Sequence, residues 1–390
     1  MLVLHVTDCY LPRLGGIEVH VSDLVSHQRA AGIDARVITL TGSEGTTDPA
    51  WVHRAGRRPG HPDADPNRSV VVADSELRTM LADLNPDCIH VHVSMFSPFA
   101  TMAARHASRA GLPTLLTVHS MWSRLGPLPG AAQALLQLRR WPVQWSAVSD
   151  AAARPLREML GPDIDVAVLP NAVDPAVWHP AAHPADLTLR TVTDSDVTLL
   201  SVMRFTRTKR TLPLARMLLR LRQVVPEDVA FRAVVVGDGP QRRPFERFVR
   251  RHGMGDWVDL PGRLDRAGVR DRLLRADCFV APAELESFGI AALEARALGL
   301  PVVASARSGV GEFIKHGREG LLAADDRHMV ASMVRIVTDP PLREAIRSHN
   351  RSHPIAHDWA AALRRTDRLY ARAAAVASSR RTTSVPVVPT

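Results

Sequence analysis

Residues 276–322 read ADCFVAPAELESFGIAALEARALGLPVVASARSGVGEFIKHGREGLL, and this stretch decides the fold of the second half of the chain. Its two short apolar runs, DCFVAP and PVVAS, have the composition of buried strands. The segment between them has the apolar spacing of a helix. A strand, a helix and a second strand in this order are typical of a βαβ unit, so the stretch predicts a parallel sheet covered by helices.

The same alternation extends outward over both halves of the chain. Further strand-like runs are MLVLHVT, DARVITL, DCIHVHV and PTLLTVH in the first half, and VTLLSVM, FRAVVVG and DWVDLPG in the second. Segments with helical periodicity, such as 17–30 and 212–225, lie between them. The sequence therefore predicts an α/β protein with one parallel sheet in each half.

The length of 390 residues also favours two domains, because a single hydrophobic core seldom serves so long a chain. Residues 171–196 contain several prolines and little periodicity, which is typical of a linker. We therefore predict a first domain over 1–170 and a second domain over 171–355. Residues 41–68 are expected to form a surface loop, and 377–390 a disordered tail.

Composition limits the class of protein. Apolar residues make up 46% and charged residues 23% of the chain, as in ordinary soluble enzymes. No apolar run reaches the roughly 20 residues of a membrane-spanning helix, and the start of the sequence lacks a basic segment of the kind that opens a signal peptide. Cys9, Cys88 and Cys278 are widely spaced in apolar runs, so we expect buried free thiols and a cytoplasmic protein.

The net charge of +9 belongs to the second half. Residues 1–170 contain 15 Arg and Lys against 16 Asp and Glu, which leaves 34 against 24 in the rest of the chain. An anionic ligand such as a nucleotide diphosphate would explain this excess, although nucleic acid or anionic lipid would be attracted by the same field. Zinc-finger spacing and base-stacking aromatic runs are absent from the sequence, so we expect no nucleic-acid partner.

The opening of the helix in residues 276–322 carries the strongest candidate site. Ser287, Phe288, Gly289 and Ile290 begin that helix, where unpaired backbone N–H groups can hold a diphosphate. Glu286 precedes them and Glu294 follows eight residues later. That spacing is slightly more than two helical turns and predicts that Glu294 returns to the side of the opening loop, where it can accept ribose hydrogen bonds.

Arg204 and Lys209 form a second candidate group in the turn after VTLLSVM. Two cations in this position can reach a diphosphate, although a solvated basic loop would look the same. The chain has only two lysines, Lys209 and Lys315, among 49 basic residues. A lysine kept among arginines indicates that a compact charge is needed at Lys209.

Three weaker signals remain. Gly15 and Gly16 stand between the first strand and a helix, where backbone N–H groups can meet an anion, or where the chain simply turns. His119 ends the strand of PTLLTVH and would point beyond the carboxyl edge of the sheet. VVVGDGP, with Gly237, resembles the start of a dinucleotide fingerprint but lacks its third glycine, which disfavours an oxidoreductase.

Other histidines and metal chemistry are less promising. His90 and His92 lie inside the strand IHVHV, where packing on a strand face is the favoured interpretation. No sequence grouping of Cys, His and carboxylates has convincing metal spacing, so we expect no metal and no bound cofactor.

Together these motifs resemble the retaining glycosyltransferase family 4, whose GT-B fold consists of two facing Rossmann-like domains. The match covers nearly the whole chain and rests on motifs that occur in the family's order. They are GGIEVHVSDL, CIHVHVSMFSP, TLLTVHS, SAVSD, VLPNAVD, SVMRFTRTK, VVVGDGP, the Glu286 and Glu294 pair, and GREGLL. HDWAAALRRTDRLY resembles the family's last helix, so the resemblance implies a return helix over 356–376 that packs on the first domain.

The resemblance also implies an activity, in which a hexose-type sugar moves from a UDP- or GDP-sugar to an acceptor with retention of configuration and without a metal. His119, Arg204, Lys209 and Glu286 would be catalytic, with His119 and Glu286 at the sugar and the two cations at the leaving diphosphate. The remaining expected donor-binding residues are Gly15, Gly16, Gly237, Ser287, Phe288, Gly289, Ile290 and Glu294. The sequence leaves the acceptor open among glycans, glycolipid precursors and small metabolites.

Some alternatives stay open at this point. Met203, Ala283 and Ser308 depart from the family's usual residues and line the expected nucleotide loops. A sugar-nucleotide epimerase or hydrolase, or a non-catalytic binding protein, would share the same fold. Trp122, Trp141 and Trp145 beside Arg139 and Arg140 would suit peripheral contact with a membrane, but core packing of a helix over 131–138 is favoured.

Overall fold

A computed structural model of the chain describes residues 1–13, 15–43, 48–55, 66–122, 137–178 and 196–383. The chain divides into two compact units, one formed by Met1–Ala172 with Trp359–Thr390 and the other by Val173–Asp358. The units separate two residues after the boundary expected at 170.

The first unit contains a seven-stranded sheet in which every neighbouring pair is parallel. The strand order is β3-β2-β1-β4-β5-β6-β7. The strands are β1 Leu2–Thr7, β2 Asp34–Thr39, β3 Val52–Arg54, β4 Cys88–Val93, β5 Thr114–Val118, β6 Gln144–Ala147 and β7 Val166–Val168. All six residues of β4 are buried, as expected for a central strand covered on both faces.

The helices of the first unit follow the strands in the βαβ manner. They are α1 Gly16–Ala30, α2 Pro66–Leu84, α3 Pro98–Arg109 and α4 Asp150–Leu160. Asp8, just after β1, accepts hydrogen bonds from the backbone N–H groups of Phe99 and Ala100 at the start of α3. Burial raises the pKa of this carboxyl, although the two N–H groups act in the opposite direction. Asp8 thus ties the end of β1 to α3.

The second unit repeats the architecture with a six-stranded parallel sheet of order β10-β9-β8-β11-β12-β13. Its strands are β8 Val197–Val202, β9 Phe231–Val236, β10 Val258–Gly262, β11 Cys278–Ala281, β12 Val302–Ser305 and β13 Gly320–Ala323. Its helices are α5 Pro175–Trp178, α6 Thr211–Val224, α7 Arg242–Arg251, α8 Arg266–Arg275, α9 Ile290–Ala297, α10 Asp326–Thr338 and α11 Pro340–Ser352. The prediction of an α/β protein with two parallel sheets is confirmed.

Each sheet reverses its winding at one point, between β1 and β4 in the first unit and between β8 and β11 in the second. In doubly wound sheets, ligands bind beyond the carboxyl ends of the strands that flank such a switch point. The loops that follow these four strands are therefore the places where each unit is expected to bind a ligand.

The last helix, α12 Trp359–Thr383, belongs to the first unit although it follows the second along the chain. Leu369, Tyr370 and Ala373 are buried against a core cluster that includes Val3 of β1 and Leu115 of β5. The helix that the sequence places at 356–376 thus begins three residues later and ends seven residues later. Residues 377–383 are helical rather than part of a disordered tail, and Ala377 is buried.

Several local expectations need correction. The loop expected at 41–68 contains β3, and its residues 44–47 and 56–65 lie outside the described residues. The linker expected at 171–196 contains α5, whose Trp178 is fully buried, whereas 179–195 lie outside the described residues. Trp145 lies in β6 and is buried, so it is a core residue rather than a membrane contact. Most of the helix expected over 131–138 also lies outside the described residues.

The cysteines are free, as expected, but they are not equally buried. Cys88 and Cys278 are the buried first residues of the central strands β4 and β11, and Cys9 is only partly buried in the loop after β1. Burial raises the pKa of the Cys88 thiol to about 12, so this cysteine stays protonated and behaves as a small apolar side chain.

Candidate functional site

The loop after β8 in the second unit holds the first group of candidate residues, 203–210. Phe205 anchors this loop because its ring is fully buried and packs on Phe245. Its backbone N–H donates to the carbonyl of Asp238 in the neighbouring loop at 2.8 Å. Arg204 is exposed beside this anchor, and Lys209 lies near the start of α6.

Lys209 and Glu286 are brought together across the switch point of this unit. The Nζ atom of Lys209 lies 2.5 Å from Oε2 of Glu286, and both side chains are partly exposed to solvent. The pair joins the loop after β8 to the loop after β11, although 77 positions separate the two residues in sequence. The structure thus unites two of the four residues that the sequence assigns to catalysis.

A second ion-pair network, which the sequence analysis missed, lies beside this pair. Arg210 donates to Glu284 at 2.6 Å and also contacts Asp326 at the start of α10. Arg307 approaches Glu284 at 3.6 Å. The adjacent residues Lys209 and Arg210 therefore pair with the nearby carboxylates Glu286 and Glu284, respectively. Glu284 and Glu286 lie two positions apart in one loop, and this spacing is the sequence signal that could have predicted the second pair.

The start of α9 has the form of an anion-binding helix end. Gly289 precedes the helix with a φ of 93°, and as a glycine it has no side chain with which to cap the helix. A Cβ atom on Gly289 would lie 2.6 Å from Cγ2 of Val310, so both conformation and space favour glycine here. The backbone N–H groups in the first turn of a helix have no partner within the helix, so a turn of this kind can bind an anion.

The neighbouring turn fits tightly against this loop. The N–H of Gly309 donates to the carbonyl of Glu286 at 2.8 Å, and a Cβ atom on Gly309 would meet the carbonyl oxygen of Ser287 at 2.2 Å. Ser308, which differs from the family's usual residue, donates its hydroxyl to the carbonyl of Ser305 at 2.7 Å. Its side chain is therefore hydrogen-bonded within its own turn. Ala283, another departure, is buried.

Two expected donor-binding residues have mainly structural surroundings. Phe288 is buried and its ring packs on Phe313 and His357, so the side chain belongs to the core. Gly237 lies at the end of β9, where a Cβ atom would lie 1.9 Å from the carbonyl oxygen of Met203. The close approach of the loops after β8 and β9 is a sufficient reason for glycine at position 237, and no ligand is needed to explain it.

Glu294 lies in α9 and is 8% exposed. The other acidic candidate, Glu286, is a partly exposed loop residue that pairs with Lys209. A carboxylate so far removed from solvent is uncommon without a specific purpose. Its burial disfavours the alternative of a solvated surface glutamate.

The first unit contains the remaining candidates. Gly15 has extended backbone before α1, and Gly16 is the first residue of that helix. Glu18 in the first turn is buried and pairs with Arg13 at 3.1 Å. A Cβ atom on Gly15 would lie 2.4 Å from Oε2 of Glu18, so the position of this carboxylate depends on the glycine.

His119 directly follows β5 at the carboxyl edge of the sheet and is 6% exposed. Its Nε2 atom lies 3.0 Å from Nδ1 of His92, a neighbour that the sequence did not predict. Burial, followed by the charge of nearby His20, keeps the pKa of His119 well below its usual range. At neutral pH this ring is uncharged, so it acts as a hydrogen-bonding group and not as a cation.

Three buried histidines lie close enough together to suggest a metal. One nitrogen from each of His5, His90 and His92 lies within 4.8 Å of the others. All six ring nitrogens, however, have hydrogen-bond partners on described side chains. The prediction that His90 and His92 face the core agrees with their burial. Their grouping with His5 was missed because β1 and β4 become neighbours only in the sheet.

The predicted site residues thus fall into two sets. Lys209, Glu286, Gly289 and Glu294 belong to the second unit, with Arg204, Gly237, Ser287, Phe288 and Ile290. Gly15, Gly16 and His119 belong to the first unit. Within the described residues, no helix is both long and apolar enough to cross a membrane.

Known families match both parts of the chain. The family described as Glycosyltransferase Family 4 matches residues 14–177, and the family described as Glycosyl transferases group 1 matches residues 191–353. Together these matches cover most of both units.

Individual relatives agree with the family matches. The chain is 26% identical over 380 residues to a subunit of phosphatidylinositol N-acetylglucosaminyltransferase from Arabidopsis thaliana, covering 95% of this chain and 82% of that protein. It is 27% identical over 365 residues to glycogen synthase of Mycobacterium tuberculosis, covering 84% of this chain and 83% of that protein. Each similarity thus extends over most of the relative's length.

Solved structures share the fold at lower identity. HepE of Anabaena, solved in complex with UDP and glucose, superposes with a TM-score of 0.74 at 17% identity and covers 95% of this chain and 99% of that one. Sucrose-phosphate synthase of Thermosynechococcus elongatus gives a TM-score of 0.73 at 20% identity, covering 95% and 98%. These similarities show the fold alone.

Proposed function

The chain belongs to glycosyltransferase family 4, also described as glycosyl transferases group 1, and we propose that it moves a hexose-type sugar from a UDP- or GDP-sugar to a hydroxyl acceptor with retention of configuration. The fold is GT-B, as in the solved relatives. HepE was solved in complexes with UDP and with UDP-glucose, which supports a nucleotide-sugar donor for this chain.

The observation that carries the proposal is the ion pair of Lys209 and Glu286 at the switch point of the second sheet. Transfer of a sugar leaves a nucleotide diphosphate, whose negative charge grows as the bond to the sugar breaks. A fixed lysine stabilises this charge, and a preorganised electrostatic group of this kind typically contributes the largest share of catalysis. Lys209 and Arg204 would neutralise the leaving diphosphate, and Glu286 would bind the sugar.

The rest of the donor would bind along α9. The first turn after Gly289 would supply backbone N–H groups for the phosphates, with Ser287 and Ile290 on either side. Glu294, buried in the same helix, would accept hydrogen bonds from the ribose hydroxyls. Among the candidates of the first unit, Gly15 and Gly16 would contact the donor phosphate or the acceptor, and His119 would contact the sugar.

We further propose that the reaction needs no metal. Lys209, Arg204 and the N-terminus of α9 supply the positive charge that a divalent cation gives in other transferases. Transfer should therefore continue in EDTA. Complete loss of activity that Mg²⁺ restores would contradict this part of the proposal.

The acceptor is proposed only by class, as a hydroxyl of a glycan, a glycolipid precursor or a small metabolite. The names of the relatives cover a phosphatidylinositol-directed enzyme and a glycogen synthase, so they do not favour one of these. For a lipid acceptor, peripheral contact with the inner face of a membrane would be required.

The test compares the two lysines of the chain. A thermal-shift screen of UDP- and GDP-sugars first identifies the donor. Turnover of that donor is then measured for Lys209→Ala and for Lys315→Ala, whose exposed side chain lies outside the proposed site. Loss of an electrostatic group at the leaving diphosphate should reduce kcat/KM about 100- to 1000-fold for Lys209→Ala only.

Equal and mild effects in both variants would contradict the assignment of Lys209. Incubation with donor alone distinguishes the neighbouring activities on this fold. An isomerised sugar would identify an epimerase, and rapid release of free sugar a hydrolase. Donor binding without turnover for any acceptor in a cell extract would identify a binding protein.

A further inference from the structure

The core of the first unit contains an unbroken series of hydrogen-bonded side chains, which we call the histidine chain. It connects β1, β4, β5 and β6 of the sheet with α1 and α12. Its members, in order of contact, are His119, His92, His5, Gln28, Tyr370, His90, Thr117 and Ser146. All of them are buried.

The chain begins at His119 and reaches α1 in three contacts. Nε2 of His119 lies 3.0 Å from Nδ1 of His92, and Nε2 of His92 lies 3.0 Å from Nδ1 of His5. Nε2 of His5 lies 2.7 Å from Oε1 of Gln28. His92 and His5 therefore use both of their ring nitrogens within the chain.

From Gln28 the chain continues through the last helix and back to the sheet. Nε2 of Gln28 donates to the Tyr370 hydroxyl at 2.9 Å, which lies 3.0 Å from Nδ1 of His90. Nε2 of His90 lies 2.8 Å from the Thr117 hydroxyl, which contacts Ser146 at 2.8 Å. The Ser146 hydroxyl then donates to the carbonyl of Leu116 at 3.3 Å.

The histidines of the chain are neutral at physiological pH. Burial lowers the pKa of His5 to about 4. Burial, with repulsion from the neighbouring histidines, lowers the pKa values of His90 and His92 well below the usual range. A neutral imidazole has one N–H donor and one lone pair, so every ring in the chain must donate on one side and accept on the other.

One fixed group, the backbone carbonyl of Leu116, sets the direction of the histidine chain at its Ser146 end. A backbone carbonyl can only accept, so Ser146 uses its hydrogen on Leu116 and must accept from Thr117. Thr117 in turn accepts from Nε2–H of His90. The lone pair of His90 is then on Nδ1, where it accepts from the Tyr370 hydroxyl.

The same logic extends to His119. Tyr370 has used its hydrogen, so it accepts from the amide nitrogen of Gln28, and the amide oxygen faces His5. His5 must then donate from Nε2 and accept on Nδ1 from His92. His92 donates from Nε2 and accepts on Nδ1, so His119 carries its proton on Nε2.

The reverse direction is less favourable. In that case Ser146 would donate to Thr117, and its hydrogen bond to the Leu116 carbonyl would be lost. Gln28 would also need its amide turned, and His119 would carry its proton on Nδ1. A buried network that makes one more hydrogen bond is favoured over one that makes one fewer.

We propose that the histidine chain holds His119 as the neutral tautomer with its proton on Nε2 and its lone pair on Nδ1, and that Gln28 and Tyr370 are positioning residues for His119. This inference rests on the proposed function, in which His119 lies at the sugar. In this tautomer Nδ1 can accept a hydrogen bond but cannot donate one. The last helix, α12, thereby contributes to the chemistry of a residue at the end of β5.

The first test is the tautomer itself. Long-range ¹H–¹⁵N correlation spectra of ¹⁵N-histidine-labelled protein distinguish protonated from unprotonated ring nitrogens. We expect Nε2–H and an unprotonated Nδ1 for His119, His92 and His5 at pH 7. A proton on Nδ1 of His119, or on both its nitrogens, would overturn the proposal. So would one equivalent of tightly bound metal in the purified protein, because a metal would replace these hydrogen bonds.

The second test removes one link. Tyr370→Phe deletes the hydroxyl that orients Gln28, and Tyr10→Phe is a matched control because the chain has only these two tyrosines. In Tyr370→Phe we expect both tautomers of His119 to be populated. We also expect kcat about three- to tenfold lower with nearly unchanged donor KM, the factor that one neutral hydrogen bond is worth. Tyr10→Phe should keep the parent's spectrum and rate.

The outcomes separate this inference from the proposed function. An unchanged His119 tautomer in Tyr370→Phe would overturn the inference even if the parent transfers sugar normally. Mixed tautomers with an unchanged kcat would overturn the positioning role of Tyr370, while the effect of Lys209→Ala still tests the function. Failure of the parent to use any donor would contradict the function and leave the spectra of the parent to decide the tautomer.

Discussion

At the scale of single residues, three glutamates close in sequence have three different surroundings. Glu284 contacts Arg210, and Glu286 pairs with Lys209, both in the loop after β11. Glu294 is largely withdrawn from solvent in α9. Ion pairs in loops exchange partners readily, whereas a buried carboxylate is retained only where hydrogen bonds compensate for the loss of water. Glu294 is therefore the most informative carboxylate to change.

Glu294→Gln should weaken donor binding about tenfold to a hundredfold, because an amide replaces one of two good acceptors at a loss of roughly 1 to 3 kcal/mol. The melting temperature should barely change, since the two side chains have the same shape. Calorimetric titration with the donor measures the affinity. Glu344→Gln, at an exposed position in α11, is the matched control. A dissociation constant equal to that of the parent would remove Glu294 from the site.

At the scale of elements, the loops after strands are held by close backbone approaches. Gly237 directly follows β9 with a φ of 139°, a conformation that L-residues rarely adopt, and it adjoins the carbonyl of Met203 after β8. Gly309 makes an equally close approach to the loop before α9. These two glycines fix the loops that contain Lys209 and Glu286.

Gly237→Ala should destabilise the protein by about 2 to 4 kcal/mol, because the new Cβ atom overlaps a backbone carbonyl and the φ angle becomes strained. Urea denaturation measures the free energy of unfolding. Gly255→Ala is the control, since no heavy atom lies within 4 Å of its added Cβ and its φ is not positive. The control should change stability by less than about 0.5 kcal/mol. Similar values for both variants would show that the turn relaxes.

At the scale of the whole molecule, both units contain a doubly wound parallel sheet, but the polar side chains around the two sheets differ in kind. In the second unit, charged residues collect in the loops at the switch point. The first unit instead contains a core of uncharged histidines, held neutral by burial. We therefore expect low pH to lower the stability of the first unit in particular, because its buried histidines are neutral in the folded state.

We expect the free energy of unfolding to fall as the pH is lowered from about 6.5. Burial lowers the pKa of His20 to about 3 and that of His5 to about 4, so the unfolded chain binds protons that the folded chain does not. Each such histidine removes about 1.4 kcal/mol of stability per pH unit below 6.5, until its folded-state pKa is reached. Urea denaturation between pH 5 and 7.5 measures the slope.

His20→Leu provides the matched test of this pH dependence. The Nδ1 atom of His20 has no hydrogen-bond partner among the described residues, so leucine removes a titrating group at little other cost. Its slope should be smaller than that of the parent by about 1.4 kcal/mol per pH unit. His252→Leu, at an exposed position and without an ion pair to any residue in the described part of the chain, should keep the parent's slope. Equal slopes in all three proteins would contradict the assignment of acid sensitivity to the buried histidines.

The sequence by itself determined the alternation of strands and helices, the presence of two parallel sheets and the family. Those features depend on local patterns, such as apolar runs of strand length and helical spacing, which can be recognised from residues that are close together in sequence. It also singled out Lys209, because lysine is rare here, and the opening of α9, because its glycine and glutamates are adjacent in sequence. It missed β3, β6, β7 and β13, since short strands carry too little pattern.

Only the tertiary structure decided which side chains meet. Gln28 and Tyr370 are 342 positions apart, and His90 and Tyr370 are 280 apart, so no local pattern indicates their contact. Arg210 is joined to Glu284 and Asp326 for the same reason. Strand order in a parallel sheet and the return of the last helix are products of long-range packing, because they minimise exposed apolar surface over the whole unit. The direction of the histidine chain, and with it the tautomer of His119, follows from that packing alone.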